Sequence, residues 1–192
     1  MEQLSKEQEI IKILFKEPYE SYNSRSISKK IGISHAGAFK ILKRLEQKNM
    51  VNSKKIGRAY ICSLNLKDEI AEKQIEIILT LESRNYKKWT EEFLEMKNEA
   101  YFIILFGSII RNEIEAKDID LLVVSDKPCL NKIKAAIEKK RNILIKPIHA
   151  IHQTSEDFIK GLHSKNKTML EILKTGIVLY GRENLIKIIK EL

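Results

Sequence analysis

Two aspartates spaced two residues apart, Asp118 and Asp120, form the pattern in this sequence best suited to chemistry. Alternate residues of a strand point to one face of a sheet, so a strand here would place both carboxylates side by side. Paired carboxylates offer the oxygen ligands that Mg²⁺ prefers, and two such ions can bracket an in-line displacement at phosphorus. Taken alone, an Asp-x-Asp pair is more often a solvated strand end.

A glycine and a serine precede this pair at a spacing that strengthens the prediction. Gly107 and Ser108 follow a fully apolar run, residues 101–106, which predicts a buried strand. Gly107 would let the backbone approach a triphosphate, and Ser108, at the start of a helix, would add a hydroxyl and backbone N–H groups that favour an anion. Arg111 would lie near the same phosphates. These three residues form the predicted nucleotide-binding site.

The segment GSIIRNEIEAKDIDLLVV, residues 107–124, resembles the nucleotidyltransferase superfamily with the DNA polymerase β-like fold, and in particular its minimal members. In that family a strand leads into Gly-Ser, which opens a helix, and Asp-x-Asp follows on the next strand. The resemblance implies that Asp118 and Asp120 are catalytic and hold Mg²⁺, and that an NTP is the substrate or ligand. The ending LKTGIVLYG, residues 173–181, resembles the tail of minimal members found behind a winged helix.

Two departures from the family pattern bear on activity. Asn112 stands where the family usually has a second glycine. Catalytic members also use a third carboxylate on a later strand, but the strand predicted here at residues 142–151 has no acid and has Lys146 in its middle. Glu156 and Asp157 come after it and fit the first turn of the next helix better. Two alternatives therefore stay open, an active transferase and a domain that binds nucleotide and metal but transfers poorly.

Two histidines at the end of the same predicted strand are candidate substitutes for the missing acid. His149 and His152 are three residues apart, so they would not share a strand face. We interpret both as surface histidines at a strand end. Cys129 has no metal-ligand spacing with them, and we predict no zinc site.

The first third of the chain predicts a winged helix-turn-helix. A short Gly32-Ile33 turn joins the second helix to a helix that Ser34 can cap, and a Gly57-Arg58 turn joins two strands. Residues 26–65 resemble the winged-helix family closely. The predicted elements are helices at residues 5–17, 24–31 and 34–48 and strands at residues 50–56 and 59–64.

This resemblance implies binding to double-stranded DNA. The third helix would enter the major groove and the wing would reach phosphates or the minor groove. The predicted DNA-binding residues, all on this helix or the wing, are Ser34, His35, Lys40, Lys43, Arg44, Lys54, Lys55 and Arg58. The alternative is a winged helix that serves protein interaction or dimerisation.

The distribution of charge supports the first interpretation. The chain has 192 residues, a net charge of +9 and 43% hydrophobic residues, which excludes a disordered chain. Residues 1–66 contain 13 lysines and arginines against 6 acids, a balance of +7, whereas the rest of the chain is nearly neutral. Such asymmetry favours a segment that faces nucleic acid, with a solvated basic surface as the alternative.

We therefore predict an α+β protein with three segments. Residues 1–66 form the winged helix, and residues 99–192 form a nucleotidyltransferase domain with a mixed sheet and flanking helices. Residues 67–98 form one long connector helix with an intermittent apolar stripe, and a homodimer through this helix is an open alternative. The predicted stripe consists of Ile70, Ile77, Leu81, Trp89 and Phe93.

Location and partners complete the expectations from sequence. We expect a reduced, cytoplasmic protein with no membrane partner, because no apolar run is long enough to span a bilayer, no secretory signal is visible and two cysteines make no disulfide framework. Three functions stay open. They are a DNA-binding regulator whose second domain binds NTP, a regulator that uses this fold only as a scaffold, and an antitoxin-like enzyme that modifies a HEPN-type toxin partner.

Overall fold

The computed structural model describes residues 3–192, and the chain divides into two compact units, Met1–Ile78 and Leu79–Leu192. Each unit has its own buried apolar core. No helix among the described residues has the length and apolar character needed to cross a membrane.

The first unit is a winged helix-turn-helix, as predicted. Three helices are followed by an antiparallel hairpin whose ends pair Val51 with Leu64 and Ile56 with Ala59. The elements are α1 (Lys6–Lys16), α2 (Ser24–Ile31), α3 (His35–Gln47), β1 (Val51–Ile56) and β2 (Ala59–Leu64).

Local signals in the sequence determine where these helices begin and end. The Ser5 side chain accepts a hydrogen bond from the Gln8 amide and completes a capping box at α1. Gly32 ends α2 in the left-handed conformation, with φ of 67°. The Ser34 hydroxyl accepts from the Gly37 amide and caps α3. Gly32 and Ser34 therefore set the two ends of the turn between α2 and α3.

The segment predicted as one long connector helix is broken. Helix α4 (Glu69–Arg84) ends early, and a shorter helix, α5 (Lys87–Glu92), and a 3₁₀ turn (Leu94–Met96) follow it. The Tyr86 hydroxyl at the break donates to the Ile110 carbonyl over 3.0 Å. This hydrogen bond is with a residue distant in sequence, so the pattern of the segment alone could not indicate the break.

Burial along this segment also differs from the predicted stripe. Ile70 and Ile77 are 66% and 51% exposed, whereas Ile75 and Ile78 between and beside them are fully buried. The predicted stripe was therefore wrong for α4. The buried residues Trp89 and Phe93 belong to the core of the second unit.

The second unit is a four-stranded mixed sheet with flanking helices, as predicted. Strand order is β5-β4-β3-β6; β3 is antiparallel to both neighbours and β4 is parallel to β5. The strands are β3 (Phe102–Phe106), β4 (Ile119–Val124), β5 (Ile148–Gln153) and β6 (Ile177–Tyr180). The remaining helices are α6 (Leu130–Arg141), α7 (Ser155–His163), α8 (Lys167–Thr175) and α9 (Arg182–Lys190).

Both faces of this sheet are covered, because alternate strand residues enter two different layers. Ile103, Leu105 and Leu121 share one apolar cluster with Trp89 and Ile133. On the other side of β3, Phe102 meets Phe158 of α7 edge to face, with ring centroids 5.1 Å apart. The central strands β3 and β4 are therefore rigidly held, and they position the residues at their ends.

Candidate functional site

The two aspartates lie at the start of β4, on one face of the sheet. Asp118 immediately precedes the strand and Asp120 is its second residue, opposite Phe106 of β3. Ile119 between them points the other way and is 1% exposed. Their side chains keep 31% and 23% of their surface in solvent. The pair is therefore fixed by a buried strand and still open to a ligand.

Gly107 lies directly against Asp120. It follows β3 with φ of 81° and ψ of −152°, a region of backbone space that is essentially restricted to glycine. A Cβ atom at this position would overlap the Asp120 carboxylate. The glycine is therefore required both by its backbone angles and by the closeness of the carboxylate.

The Gly-Ser segment opens a single 3₁₀ turn (Ser108–Ile110) and not the helix expected from the family pattern. Soon after this turn, the Asn112 side-chain oxygen accepts hydrogen bonds from the Ile114 and Glu115 amides at 3.1 and 3.3 Å. This Asx-type turn redirects the chain toward Asp118. Because residues 108–110 form only one 3₁₀ turn, this segment offers a phosphate its side chains and the amides of the turn, and not the N-terminus of an α-helix.

The strand expected to lack a third ligand supplies a histidine beside the aspartates. β5 covers Ile148–Gln153, several residues later than the predicted strand at residues 142–151. In the parallel pairing of β4 and β5, His149 is the direct partner of Asp120. Its Nδ1 atom lies 3.4 Å from Asp118 Oδ2 and 3.8 Å from Asp120 Oδ1. His149 is exposed, as interpreted from the sequence, but it lies at the start of β5 and beside the aspartate pair.

The residues between α6 and β5 form a loop and not the first half of a strand. Lys146, predicted in the middle of the strand, donates to the backbone carbonyls of Ile114 and Ala116. It therefore ties this loop to the segment that leads into Asp118. Asp157 lies in the first turn of α7, where its amide donates to the Thr154 hydroxyl, as predicted.

Burial and charge both act on Asp120. Burial raises the pKa of its carboxyl above the usual range, the nearby Asp118 carboxylate raises this pKa further, and His149 lowers it in part. Two neighbouring carboxylates repel each other, so their apposition disfavours the ionised form. A bound cation would relieve that repulsion.

A cleft of about 720 Å³ begins at Gly107 and Arg111 in the second unit. Its opposite wall comes from α8 and includes Lys167 and Thr168. Sequence reasoning named the first two residues but missed the α8 residues, because nothing in their local pattern distinguishes them from a solvated helix end. The cleft brings two cationic side chains, Arg111 and Lys167, to one opening, and two acids, Glu82 and Glu171, line it as well.

The described residues contain one group of three side chains that could hold a metal ion, and it consists of Asp118, Asp120 and His149. Their ligand atoms lie within 4.8 Å of one another. His152, three residues along β5, is not part of the group. Its Nδ1 atom is buried without a hydrogen-bond partner among the described residues, and burial lowers its pKa.

On the first unit, the predicted DNA-binding residues divide into two sets. Lys40, Lys54, Lys55 and Arg58 are exposed and make no ion pair within residues 3–192. The other two cations are engaged with acids. Lys43 pairs with Glu46 at 2.7 Å, and Arg44 pairs with Glu7. Lys40 on α3 and three cations of the wing are therefore available without rearrangement.

The two polar residues at the start of α3 have local partners. Ser34 caps the helix, and His35 Nε2 lies 2.8 Å from the Ser24 hydroxyl of α2. Both side chains are exposed, so they keep capacity for further contacts. In the structure Ser34 fixes the start of α3, and His35 links α3 to α2.

A cleft of about 750 Å³ separates α3 from the hairpin. Three large apolar side chains, Phe39, Ile56 and Tyr60, line it and are 49%, 57% and 55% exposed. The Lys43 ammonium lies 5.8 Å from the centre of the Tyr60 ring. Basic and aromatic groups are thus interleaved on one surface.

Comparison with solved structures gives matches of low identity. A mutant of Lactococcus lactis ZitR and a second mutant in complex with DNA are both 21% identical, with TM-scores of 0.37 and 0.36, and each match covers 48% of this chain. The matches span 64% and 63% of those two chains, slightly under two thirds of their length. The adhesin competence repressor AdcR from Streptococcus pyogenes is 14% identical with a TM-score of 0.37, covering 60% of this chain and 84% of its own.

Comparison with curated proteins gives no match. The family model "Polymerase beta, Nucleotidyltransferase" matches residues 88–185, which include β3, the Gly-Ser segment, the aspartate pair and all the later strands. The match extends over slightly more than half of the chain. The matched region begins within α5, so the chain after the break that ends α4 belongs to the matched domain. The chain therefore belongs to the polymerase beta nucleotidyltransferase family.

Proposed function

We propose that this protein is a DNA-binding regulator whose nucleotidyltransferase domain binds a nucleoside triphosphate together with a divalent metal ion. The observation that carries the proposal is the apposition of Gly107 to Asp120 beside a cleft with two cations. A basic winged helix in the same chain supports the DNA-binding part. The two parts are tested separately below.

The fit of a metal ion rests on the donor set and on Gly107. Asp118 and Asp120 present carboxylate oxygens on one face, which suits a divalent cation. The absence of a side chain at Gly107 leaves the Asp120 carboxylate room beside the backbone, which any other residue would fill. When bound, the ion would neutralise phosphate charge at the site.

The chain's own residues would bind and orient the nucleotide. Ser108 and Arg111 follow Gly107 and offer a hydroxyl and a guanidinium for phosphate oxygens. Lys167 adds a second positive charge from the opposite wall of the cleft. The apolar lining of the same cleft, which includes Phe106 and Ile172, would hold the less polar part of the nucleotide away from water.

Contacts with DNA would come mainly from the wing. Lys54, Lys55 and Arg58 are exposed and make no ion pair among the described residues, so phosphate binding breaks no existing interaction. Phosphate contacts of this kind supply affinity and orientation, whereas base edges supply specificity. The exposed ring of Phe39 on α3 could contribute apolar contact with a thymine methyl group.

One observation favours a second function, in which the domain binds ligand without transferring a nucleotidyl group. β5 carries no Asp or Glu in the range Ile148–Gln153, so no third carboxylate is available there to activate an attacking hydroxyl. In this alternative the domain acts as a ligand-responsive scaffold. Incubation with NTPs labelled at the α-phosphate, Mg²⁺ or Mn²⁺, and co-purifying proteins and nucleic acids separates the two functions. Covalent transfer of label would support a transferase and exclude the scaffold.

Nucleotide binding is tested by calorimetric titration of the full chain with ATP, GTP, CTP and UTP in excess MgCl₂. We expect one or more to bind the native protein and none to bind the Asp118→Ala, Asp120→Ala double variant. The control is Glu115→Gln, which neutralises an exposed carboxylate in the preceding loop. Equal affinity in the native and double-variant proteins would overturn the proposed site.

A further inference from the structure

We propose that His149 is the third metal ligand of this site and that the site consequently selects a first-row transition-metal dication over Mg²⁺. The inference deepens the proposed function and rests on its premise that Asp118 and Asp120 bind a metal ion. It assigns a new ligand on β5. An all-carboxylate site is expected to bind Mg²⁺, whereas a site with a histidine ligand is expected to favour a transition-metal dication.

The separations between the His149 nitrogen and the two carboxylates are close to those around a common ion, and all three donor atoms lie within 4.8 Å of one another. Ligands about 2.1 Å from one ion lie about 3.0 to 3.5 Å apart in octahedral or tetrahedral geometry. His149 Nδ1 lies 3.4 Å from Asp118 Oδ2 and 3.8 Å from Asp120 Oδ1. One ion shared by all three donors therefore requires these separations to shorten by up to about 1 to 2 Å, within the reach of side-chain rotation.

The backbone beside His149 is held from two directions. The Ile119 amide donates to the Pro147 carbonyl over 2.9 Å, next to both aspartates. The Arg141 guanidinium donates to the Ile148 carbonyl through Nη2 at 2.9 Å and Nε at 3.3 Å. Ile148 itself is 1% exposed. The residue before the histidine is thus fixed, and the parallel register with β4 fixes the histidine opposite Asp120.

The orientation of the ring favours coordination over a purely structural role. Nδ1 faces the two carboxylates, while 62% of the side-chain surface is in solvent. The exposed side of the site leaves further coordination positions for water or for phosphate oxygens.

The donor set determines the choice of metal. Mg²⁺ prefers oxygen ligands and keeps much of its water, whereas imidazole suits Zn, Cu, Fe and Ni. Replacing a third carboxylate by a neutral imidazole also lowers the negative charge of the site from three to two. Both effects weaken the binding of Mg²⁺ relative to the binding of transition-metal dications. Mn²⁺ lies between these classes and has a paramagnetic signal, so it is the probe of choice.

The test uses the full chain without an affinity tag, titrated with MnCl₂ alone and followed by electron paramagnetic resonance. The six-line signal of free Mn²⁺ gives the dissociation constant, and electron spin-echo modulation reports a coordinated ¹⁴N nucleus. We expect ¹⁴N modulation in the native protein. We also expect Mg²⁺ to displace Mn²⁺ only at a concentration at least about tenfold higher than that of Mn²⁺.

Three variants assign the signal. His149→Ala should abolish ¹⁴N modulation and raise the Mn²⁺ dissociation constant by at least about tenfold. His149→Asp should abolish the modulation while restoring binding and should reduce the preference for Mn²⁺ over Mg²⁺ by about tenfold. His163→Gln, which replaces an exposed histidine at the end of α7, is the control and should change neither quantity. His149→Asp also shows that a loss of signal does not come from failure to fold.

The outcomes separate this inference from the function on which it rests. Mn²⁺ binding without ¹⁴N modulation in the native protein would overturn the role of His149 and leave the aspartate pair as the metal site. Persistence of the modulation in His149→Ala would overturn it equally. A native protein that binds neither Mn²⁺ nor any NTP would contradict the proposed function as well.

Discussion

At the scale of single residues, the close contact between Gly107 and the Asp120 carboxylate determines the space at the candidate site. Gly107 has backbone angles that other residues avoid, and the Asp120 carboxylate occupies the space where a Cβ atom would stand. The sequence predicts the need for a glycine here, because Gly-Ser before Asp-x-Asp indicates a close approach of the backbone to a ligand. The closeness of the two residues was not predictable, because it depends on the antiparallel register of β3 and β4.

Gly107→Ala should therefore damage stability and ligand binding together. Backbone strain should lower the free energy of unfolding by about 1 to 3 kcal/mol, and displacement of the Asp120 carboxylate should abolish metal-dependent NTP binding. Gly57→Ala is the matched control. Gly57 also has positive φ, at 60°, but open space around its Cβ position. The free energy of unfolding of Gly57→Ala should fall by about 1 kcal/mol, as measured by chemical denaturation. Titration calorimetry should show that this variant keeps NTP binding.

The charge of Asp120 should destabilise the metal-free protein. Its pKa is raised in the folded state, so its contribution to stability is greatest at acid pH and is lost as the pH rises through the folded-state value. Asp120→Asn should therefore unfold about 1 to 3 °C above the native protein at pH 7 without metal, and the difference should vanish near pH ~3.

Added Mn²⁺ should reverse that order of stability. The native protein should gain thermal stability on metal binding, because the cation relieves the repulsion between Asp118 and Asp120. The Asp120→Asn variant should gain little thermal stability from added Mn²⁺. Scanning calorimetry at several pH values checks both parts, and a metal-free variant that unfolds below the native protein at pH 7 would contradict this account of the site.

At the scale of elements, local signals predicted the winged helix well and predicted β5 and the connector poorly. Caps, a left-handed glycine and short turns lie within a few residues of the boundaries they determine, as at Ser34 and Gly57. The start of β5 depends on pairing with β4, which is distant in the sequence, so the local pattern puts His149 at the end of a strand and not at its beginning. The break after Arg84 depends on packing of Trp89 and Phe93 in the second core.

The hairpin carries the next prediction. Replacing Lys54, Lys55 and Arg58 by alanine should weaken binding to all DNA sequences by a similar factor. The slope of log affinity against log salt concentration should fall by about one unit for each DNA phosphate that is no longer bound, up to about three units. Fluorescence anisotropy of labelled duplex DNA at several salt concentrations measures the slope.

A charge-matched control separates this effect from the loss of net charge. Lys67, Lys73 and Lys87 are exposed and lie outside α3 and the hairpin. Their triple alanine variant should keep most of the slope. An unchanged slope in the hairpin variant, or an equal decrease in both variants, would argue against binding of phosphates by the wing.

At the scale of the whole molecule, the net charge of +9 belongs mostly to residues 1–66. The balance of +7 in residues 1–66 lies on a winged helix, whereas the second unit carries the aspartate pair that we propose as a metal site. The sequence predicted this division because charge and motif patterns are local. It could not predict the cleft between Gly107 and α8, because its walls come from segments about 60 residues apart in the chain.

The central claim is that one chain carries two separate binding functions, one for DNA and one for a metal–nucleotide complex. The most direct test is a crossed binding measurement, in which the native protein, the hairpin triple variant and the Asp118→Ala, Asp120→Ala variant are each titrated with labelled duplex DNA and with NTP in the presence of Mn²⁺. We predict that the hairpin variant binds DNA more weakly and keeps NTP binding, whereas the aspartate variant loses NTP binding and keeps DNA binding. Loss of both ligands in each variant, or of neither, would contradict the account.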